Sequence, residues 1–246
     1  MKEDDKIPFT AHLEELRKRL VICCIAIGVG FVLAYGFKEK LFEILTLPLV
    51  REMRAADKII FTGLPEAFFT YMKVSFLTGI ILASPIIIYQ FWVFVAPGLY
   101  QKERRYLVPI VLLSVVFFIG GTLFCFFVVF PFGIKFFLSF ATDVIQPLLS
   151  MKEYLSFASK MLLAFGLIFE LPLVIVFLAK IGVVTVDFLR KNRKYAILLT
   201  FVVAAILTPP DVVSQVLMAI PLICLYEISI IGAIFFGKKK EKKPDD

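Results

Sequence analysis

The chain has 246 residues, of which 60% are hydrophobic and 19% are charged, and its mean hydropathy is +0.92. With 28 phenylalanines it carries more apolar surface than the interior of a soluble globular domain can hold, so the composition excludes that class and indicates that lipid is the solvent. Basic loops and tails beside anionic lipid account for the net charge of +7, so we expect no nucleic-acid partner.

Six apolar stretches follow one another along the chain, and most reach the ~20 residues that a helix needs to cross a hydrocarbon core of about 30 Å. The fifth is the exception, since its uncharged run from Tyr195 to Leu207 reaches only about 20 Å. We predict an all-α polytopic membrane protein, built as one domain over residues 1–246. Its six transmembrane helices are expected at about 20–37, 68–97, 106–131, 154–179, 195–209 and 212–236.

The segment before the first span, FTAHLEELRKR at residues 9–19, has the pattern of an amphipathic helix. Apolar side chains recur at helical spacing on one face, and His12, Glu15 and Arg19 share another. We expect this helix to lie in the cytoplasmic interface and to lead into the first span. Two interpretations of Glu15 are open: an ordinary i,i+4 ion pair with Arg19, or an acidic recognition point among basic residues.

A second carboxylate, Glu103, lies in the short basic segment GLYQKERR between the second and third spans. It either neutralises the adjacent basic residues or joins Glu15 on the same side of the membrane. The termini and even-numbered loops carry 18 lysines and arginines, against 7 in the odd-numbered loops. The positive-inside rule therefore predicts that both termini are cytoplasmic. The basic tail, residues 238–246, is expected to be a solvated anchor beside anionic lipid.

The fourth span carries a carboxylate near its centre, because Glu170 stands two residues before Pro172 in LLAFGLIFELPLVIVFLAK. A charge at mid-bilayer costs about 2.5–3.5 kcal/mol on insertion scales. Pro172 has no N–H and leaves the carbonyl of Ile168 unbonded, so we expect the helix to bend there and to attract water or a polar partner. Two structural interpretations are open: a water-lined groove, and a hydrogen bond to another helix of the chain.

Motifs of the common enzyme classes do not occur. The chain has one histidine, and it contains no HExxH, no GxSxG and no GxxxxGK[ST] phosphate loop. Its four cysteines lie in apolar segments and lack metal-ligand spacing. We therefore expect no catalytic site, no metal and no cofactor, so the energy for any transport would come from an ion gradient or from partners.

Four segments carry a resemblance to a known family. They are HLEELRKRL at the N-terminus, SPIIIYQFWVFVAPGLYQKERR from Ser84, YLSFASKMLLAFGLIFELP in the fourth span, and TPPD with SQVLMAIPLICLYEISI across the fifth and sixth. In this order they resemble TatC, the multi-spanning receptor subunit of the twin-arginine protein translocase, from about His12 to Ile230. The resemblance implies six spans in a concave arrangement with short fifth and sixth helices, in the cytoplasmic (inner) membrane of a bacterium.

The resemblance also implies a function. Members of that family bind signal peptides that carry a consecutive arginine pair on folded cargo proteins. Glu15 and Glu103 match the two glutamates associated with this binding. Motif positions nearby are matched by His12, Arg17 and Phe94. The chemistry is suitable, because carboxylates hold guanidinium groups through charge-assisted, bidentate hydrogen bonds.

Partners are implied as well: single-span subunits of the TatA/TatB type, other copies of the chain itself and membrane lipids, with export driven by the proton-motive force. Thr208 and Gln215 match polar positions linked to docking of the single-span subunits. Alternatively, Gln215 satisfies backbone groups near the TPPD turn, and Asp211 caps the sixth helix. Glu170 matches a carboxylate that faces a partly wet groove.

Four prolines are expected to have structural roles. Pro48 and Pro65 are predicted to form turns in the outer loop, residues 38–66, which would contain short interfacial helices and hold the spans in place. Pro85 and Pro172 lie inside the second and fourth spans.

A function of another class is the alternative: a proton- or ion-coupled solute transporter that uses Glu170 as its ion site. It predicts that uptake of a small solute depends on Glu170 and that Glu15 and Glu103 are dispensable, whereas the receptor interpretation predicts the reverse. No internal repeat of the kind typical of such transporters is apparent in segment pattern or loop length.

Overall fold

The computed structural model describes residues 9–53, 59–61, 63–95, 107–142, 147–208 and 211–237, which are mostly helical. The helices are α1 (Phe9–Tyr35), α2 (Lys38–Glu52), α3 (Glu66–Val95), α4 (Leu107–Phe124), α5 (Phe130–Leu138), α6 (Met151–Phe169), α7 (Leu171–Ile181), α8 (Val186–Lys191), α9 (Arg193–Leu207) and α10 (Val212–Phe236). A π-helical segment, Cys125–Val129, joins α4 to α5. The two short strands are β1 (Ile59–Ile60) and β2 (Leu149–Ser150).

Among the described residues, five helical stretches are long and apolar enough to cross a membrane: 13–35, 66–95, 108–138, 151–181 and 212–236. They correspond to the first four and the sixth of the predicted spans. The fifth, α9, has 15 residues and reaches about 22 Å, which is short of a full crossing, as predicted. The expectation of a short sixth helix is wrong, because α10 has 25 residues and reaches about 37 Å.

Two predicted boundaries are also corrected. The amphipathic segment 9–19 is not a separate helix, because α1 continues without a break into the first span and no glycine or proline interrupts it before Gly28. The third span continues past its expected end at residue 131. The backbone widens into the π segment one turn before Pro131, where the proline ring would otherwise clash with the carbonyl of Phe127.

The predicted prolines differ in their surroundings. Pro65 lies in a turn directly before α3, as predicted, and the side chain of Glu66 accepts a hydrogen bond from the backbone N–H of Gly63 at 3.2 Å. The prediction of a turn at Pro48 is wrong, because Pro48 is buried inside α2. The helix continues there, since a proline forfeits one backbone hydrogen bond without removing the others. Pro85 lies inside α3.

The chain divides into two compact units, residues 1–45 with 63–116 and residues 46–62 with 117–246. In the first unit α1 packs closely against α3. A Cβ atom on Gly30 would lie 2.6 Å from the carbonyl oxygen of Gly79, and one on Gly79 would lie 2.7 Å from the backbone nitrogen of Phe31. Small residues permit this approach of two membrane helices, so the glycines set the distance between α1 and α3.

In the second unit α4 and α6 approach each other in the same way. A Cβ atom on Gly121 would lie 2.5 Å from the carbonyl oxygen of Phe165, and one on Gly166 would lie 2.8 Å from the ring of Phe118. Phe165 and Cys125 have no exposed surface and belong to the buried interior of this unit. Both helices are therefore fixed against each other along the stretch that precedes Glu170.

Two strands of the second unit form a parallel pair, in which Ile59 lies opposite Leu149 and Ile60 opposite Ser150. They connect the segment after α2 to the start of α6. The side chain of Ser150 then caps α6, since its hydroxyl accepts the N–H of Glu153 at 3.4 Å. At the other end of this helical stretch, α7 is capped by Gly182, whose φ of +82° is a conformation that favours glycine.

Candidate functional site

Glu15 lies in the N-terminal part of α1, and among the residues that the structure describes Arg19 holds its carboxylate. Arg19, one turn further along, donates from Nε to Glu15 Oε1 at 3.1 Å and from Nη2 to the same oxygen. The Glu15 side chain is 30% exposed and that of Arg19 is 18% exposed. The i,i+4 ion pair anticipated from the sequence is therefore present, and it is partly shielded from solvent.

Arg19 also connects α1 to α3. Its Nη1 donates to Gln90 Oε1 at 3.1 Å, across 71 residues of chain. Sequence reasoning missed Gln90, although an amide in the apolar run SPIIIYQFW was a signal that it needed a polar partner. Glu15, Arg19 and Gln90 form one hydrogen-bonded row in which the guanidinium lies between a carboxylate and an amide.

The other residues predicted for this site fall into two groups. Arg17 is exposed on α1, and Phe94 is half-buried in the last turn of α3. Glu103 lies outside the described residues, and so does the side chain of His12. The structure therefore gives positions for Glu15, Arg17 and Phe94 and leaves their relation to Glu103 and His12 as a prediction.

The end of α3 that carries Phe94 is held by a buried contact. Trp92 Nε1 donates to Ser114 Oγ on α4 at 2.8 Å. Trp92 is 3% exposed and Ser114 has no exposed surface. A hydrogen bond between two buried polar groups is costly to break, so this contact fixes the last turns of α3 against α4.

The fourth span is interrupted at Glu170, two residues before Pro172, and the bend predicted there stays a prediction. α6 ends at Phe169 and α7 begins at Leu171. The N–H of Glu170 bonds to the carbonyl of Leu167 at 3.1 Å, a tighter i to i−3 pattern. Pro172 occupies the first turn of α7, where a missing N–H is tolerated, and it is buried. Glu170 itself is half-buried at this junction.

The corner between α9 and α10 uses three of the predicted polar residues. Thr208 is buried, and its hydroxyl donates to the carbonyl of Ala204 at 2.8 Å. Gln215 Nε2 donates to the carbonyl of Phe201 at 3.0 Å and so ties α10 to α9. The amide therefore satisfies a backbone carbonyl within α9 rather than one beside the TPPD turn, and the docking role of Gln215 stays a prediction.

Asp211 is the N-cap of α10. Its Oδ1 accepts the backbone N–H of Ser214 at 2.7 Å, and its Oδ2 accepts the hydroxyl of the same residue. A carboxylate in this position satisfies an otherwise unbonded N–H and interacts favourably with the helix dipole. The capping role is thus present in the structure.

A polar contact that sequence reasoning missed lies where α9 begins. Arg193 Nη2 donates to Glu227 Oε2 on α10 at 2.7 Å, with both side chains about half-exposed. The neighbouring Tyr226 donates its hydroxyl to the carbonyl of Leu189 on α8 at 2.9 Å. No local pattern predicts these pairs, since the partners are more than 30 residues apart.

Comparisons with known proteins agree on one family. The family described as Sec-independent protein translocase protein (TatC) matches residues 11–221. The chain is 63% identical over 245 residues to the Sec-independent protein translocase protein TatC of Desulforapulum autotrophicum, covering 100% of this chain and 91% of that protein. Against the protein of the same name from Escherichia coli K12 it is 39% identical over 244 residues, covering 99% and 95%.

Solved structures give the same result at the level of fold. A crystal structure described as the twin arginine translocase receptor TatC matches with a TM-score of 0.83 and 43% identity, over 91% of this chain and 98% of that one. A second, of the same receptor in the detergent DDM, matches with a TM-score of 0.82 and 43% identity, over 93% and 100%.

Proposed function

We propose, from the premise that this chain belongs to the TatC family of Sec-independent protein translocase proteins, that it is the receptor and scaffold subunit for twin-arginine signal peptides. Proteins of this family are subunits of a transport system rather than enzymes. The helices described above make the chain a multi-pass membrane protein. Receptor function then requires a surface that holds two guanidinium groups at the membrane.

The topology we propose has six spans in a concave arrangement, with α9 as the short fifth, in the bacterial inner membrane. Both termini lie in the cytoplasm, because the lysines and arginines are concentrated on that side. In this orientation the start of α1, the end of α3 and the loop with Glu103 all face the cytoplasm. A signal peptide would meet these segments before its apolar part enters the bilayer.

The observation that carries the proposal is the contact between Glu15 and Arg19. The Glu15 carboxylate already binds a guanidinium through two N–H groups, and 30% of its side chain is exposed. In our proposal Glu15 and Glu103 each hold one arginine of the signal peptide. Nearby, His12, Arg17 and Phe94 line the same surface.

Partner docking completes the proposal. α9 is about 22 Å long and is therefore shorter than the hydrocarbon core of the bilayer. This mismatch favours packing of a neighbouring helix beside it. We propose that single-span TatA/TatB-type subunits pack there, near Thr208 and Gln215, and that copies of the chain assemble around them. Export of folded cargo would draw on the proton-motive force, and Glu170 would meet polar groups in a water-lined groove.

An export assay tests the proposal. The chain would be the sole TatC in bacterial cells that carry a fluorescent protein fused to a twin-arginine signal peptide. We expect wild type to export this reporter and the double variant Glu15→Ala, Glu103→Ala to lose export by more than tenfold, because two charge-assisted contacts are removed. Glu14→Ala is the matched control, since Glu14 is exposed and pairs with Lys18 at 2.9 Å.

A second control uses a reporter whose signal carries two lysines, which should stay in the cytoplasm because an ammonium cannot make the paired contact. Export of the twin-arginine reporter by the double variant at the wild-type rate would contradict the proposal.

A further inference from the structure

The row Glu15–Arg19–Gln90 has a feature that the proposed function does not use. Both donors of Arg19 reach the same oxygen, Oε1, whereas Oε2 of Glu15 makes no hydrogen bond to any residue that the structure describes. A guanidinium that binds in the bidentate manner needs both oxygens of the carboxylate. The chain's own arginine therefore occupies half of the site that a signal arginine requires.

We propose that Arg19 is an intramolecular stand-in for a signal-peptide arginine, and that binding of the signal peptide displaces it from Glu15. This inference rests on the proposed function, because it assumes that Glu15 receives a guanidinium from the signal peptide. It assigns to Arg19 a regulatory role at that site: its contact with Glu15 lowers the apparent affinity for every ligand that must take Oε1.

Gln90 gives the displaced side chain a partner. Its Oε1 accepts Arg19 Nη1 at 3.1 Å, from a different helix, and this bond does not depend on Glu15. When it is displaced, Arg19 keeps its hydrogen bond to Gln90 on α3 and releases Oε1 of Glu15. The exchange thus replaces one guanidinium by another at Glu15 and leaves neither the carboxylate nor the displaced arginine without a hydrogen-bond partner.

The contact is suited to exchange because it is partly exposed. Pairs of this kind contribute little net stability, so a ligand with two arginines can displace one. In the absence of ligand the same pair keeps Glu15 from presenting an uncompensated charge at the membrane surface. Arg19 therefore occupies Glu15 only weakly, and a ligand that binds Glu15 more strongly releases it.

The test measures affinity in the purified full chain in detergent micelles. A fluorescent peptide with a twin-arginine signal sequence would be titrated by anisotropy against wild type and Arg19→Gln. We expect Arg19→Gln to bind about two- to fivefold more tightly, because the ligand no longer has to displace an ion pair. Equal or weaker binding by Arg19→Gln, with binding still dependent on Glu15, would overturn this inference alone.

Two further variants separate displacement of the ion pair from a change in net charge. Arg19→Lys keeps the charge but loses the planar fork of the guanidinium that makes the paired contact, so we expect an intermediate gain. Lys18→Gln removes one positive charge from an exposed pair with Glu14 and should bind as wild type does. Equal gains for Lys18→Gln and Arg19→Gln would reduce the effect to net charge and overturn the inference.

A different result would contradict the proposed function. Twin-arginine binding that is unaffected by Glu15→Gln would overturn both the proposed function and this inference. Loss of binding in Glu15→Gln together with a gain in Arg19→Gln would support both.

Discussion

At the scale of single residues, several polar side chains in this apolar chain are held by partners on the same chain. Glu15 binds Arg19, Asp211 binds Ser214, and the Gln215 amide binds a backbone carbonyl of α9. An unpaired polar group in lipid is costly, which explains why local contacts satisfy these residues. A binding role for any of them thus requires exchange of an existing contact or use of an unbonded oxygen.

Asp211 provides a prediction at this scale. Asp211→Ala removes the acceptor for the backbone N–H of Ser214, so we expect a loss of about 0.5–2 kcal/mol in the free energy of unfolding. Thermal unfolding of the purified protein in detergent, with Asp211→Asn alongside, would measure it. Asparagine also caps helices, so it should retain most of the stability. Equal losses for both variants would show that the charge matters rather than the cap.

Residues also show where sequence reasoning reached its limit. The pairs of Glu15 with Arg19 and of Asp211 with Ser214 were accessible from the sequence, because their partners lie within one helical turn. The contacts of Arg19 with Gln90 and of Arg193 with Glu227 could not be predicted from the sequence, because they depend on which helices pack together.

At the scale of elements, prolines gave both correct and incorrect predictions. The break at Glu170 follows from Pro172, whose missing N–H interrupts the backbone ladder in an otherwise uniform apolar run. Pro48 has the same chemistry, yet α2 continues through it with the loss of one backbone hydrogen bond. The π segment Cys125–Val129 is a third outcome, in which the ladder widens before Pro131. Tertiary packing decides among these outcomes, and sequence alone does not report it.

The glycines of α1 provide a prediction about helix packing. Gly30→Ala places a methyl group 2.6 Å from a backbone oxygen of α3, which cannot move aside alone, so we expect a loss of about 1–3 kcal/mol in stability. Gly28→Ala is the matched control on the same helix, since no atom lies within 4 Å of its Cβ position. Unfolding in detergent by heat would compare the two. Similar stabilities would contradict close packing of α1 against α3.

At the scale of the whole molecule, the composition correctly predicts a helical membrane protein, because length and apolar content alone determine where a chain can cross lipid. The pairing of β1 with β2 was beyond prediction, since each strand has two residues and the strands are some 90 positions apart. The likeness to solved TatC structures, with a TM-score of 0.83, shows that the helices follow the order of that fold.

Glu170 distinguishes the receptor from the solute transporter. Glu170→Gln keeps the size of the side chain and removes its titration, so the receptor account predicts less than about a twofold change in twin-arginine peptide affinity. The control is Glu153→Gln, at the start of the same span. Anisotropy titration would measure affinity, and a pH-gradient assay in proteoliposomes would measure solute uptake. Uptake that is abolished by Glu170→Gln, in a protein without affinity for the peptide, would favour the transporter.

Photocrosslinking of a twin-arginine signal peptide to the chain in membranes tests the central claim most directly. The photoreactive group would stand beside the arginine pair, and wild type would be compared with Glu15→Ala, Glu103→Ala, the double variant and Glu14→Ala. The receptor account predicts crosslinks that weaken in each single variant, disappear in the double variant and with a two-lysine signal, and persist in Glu14→Ala. Equal crosslinking by every variant and by the two-lysine signal would contradict it.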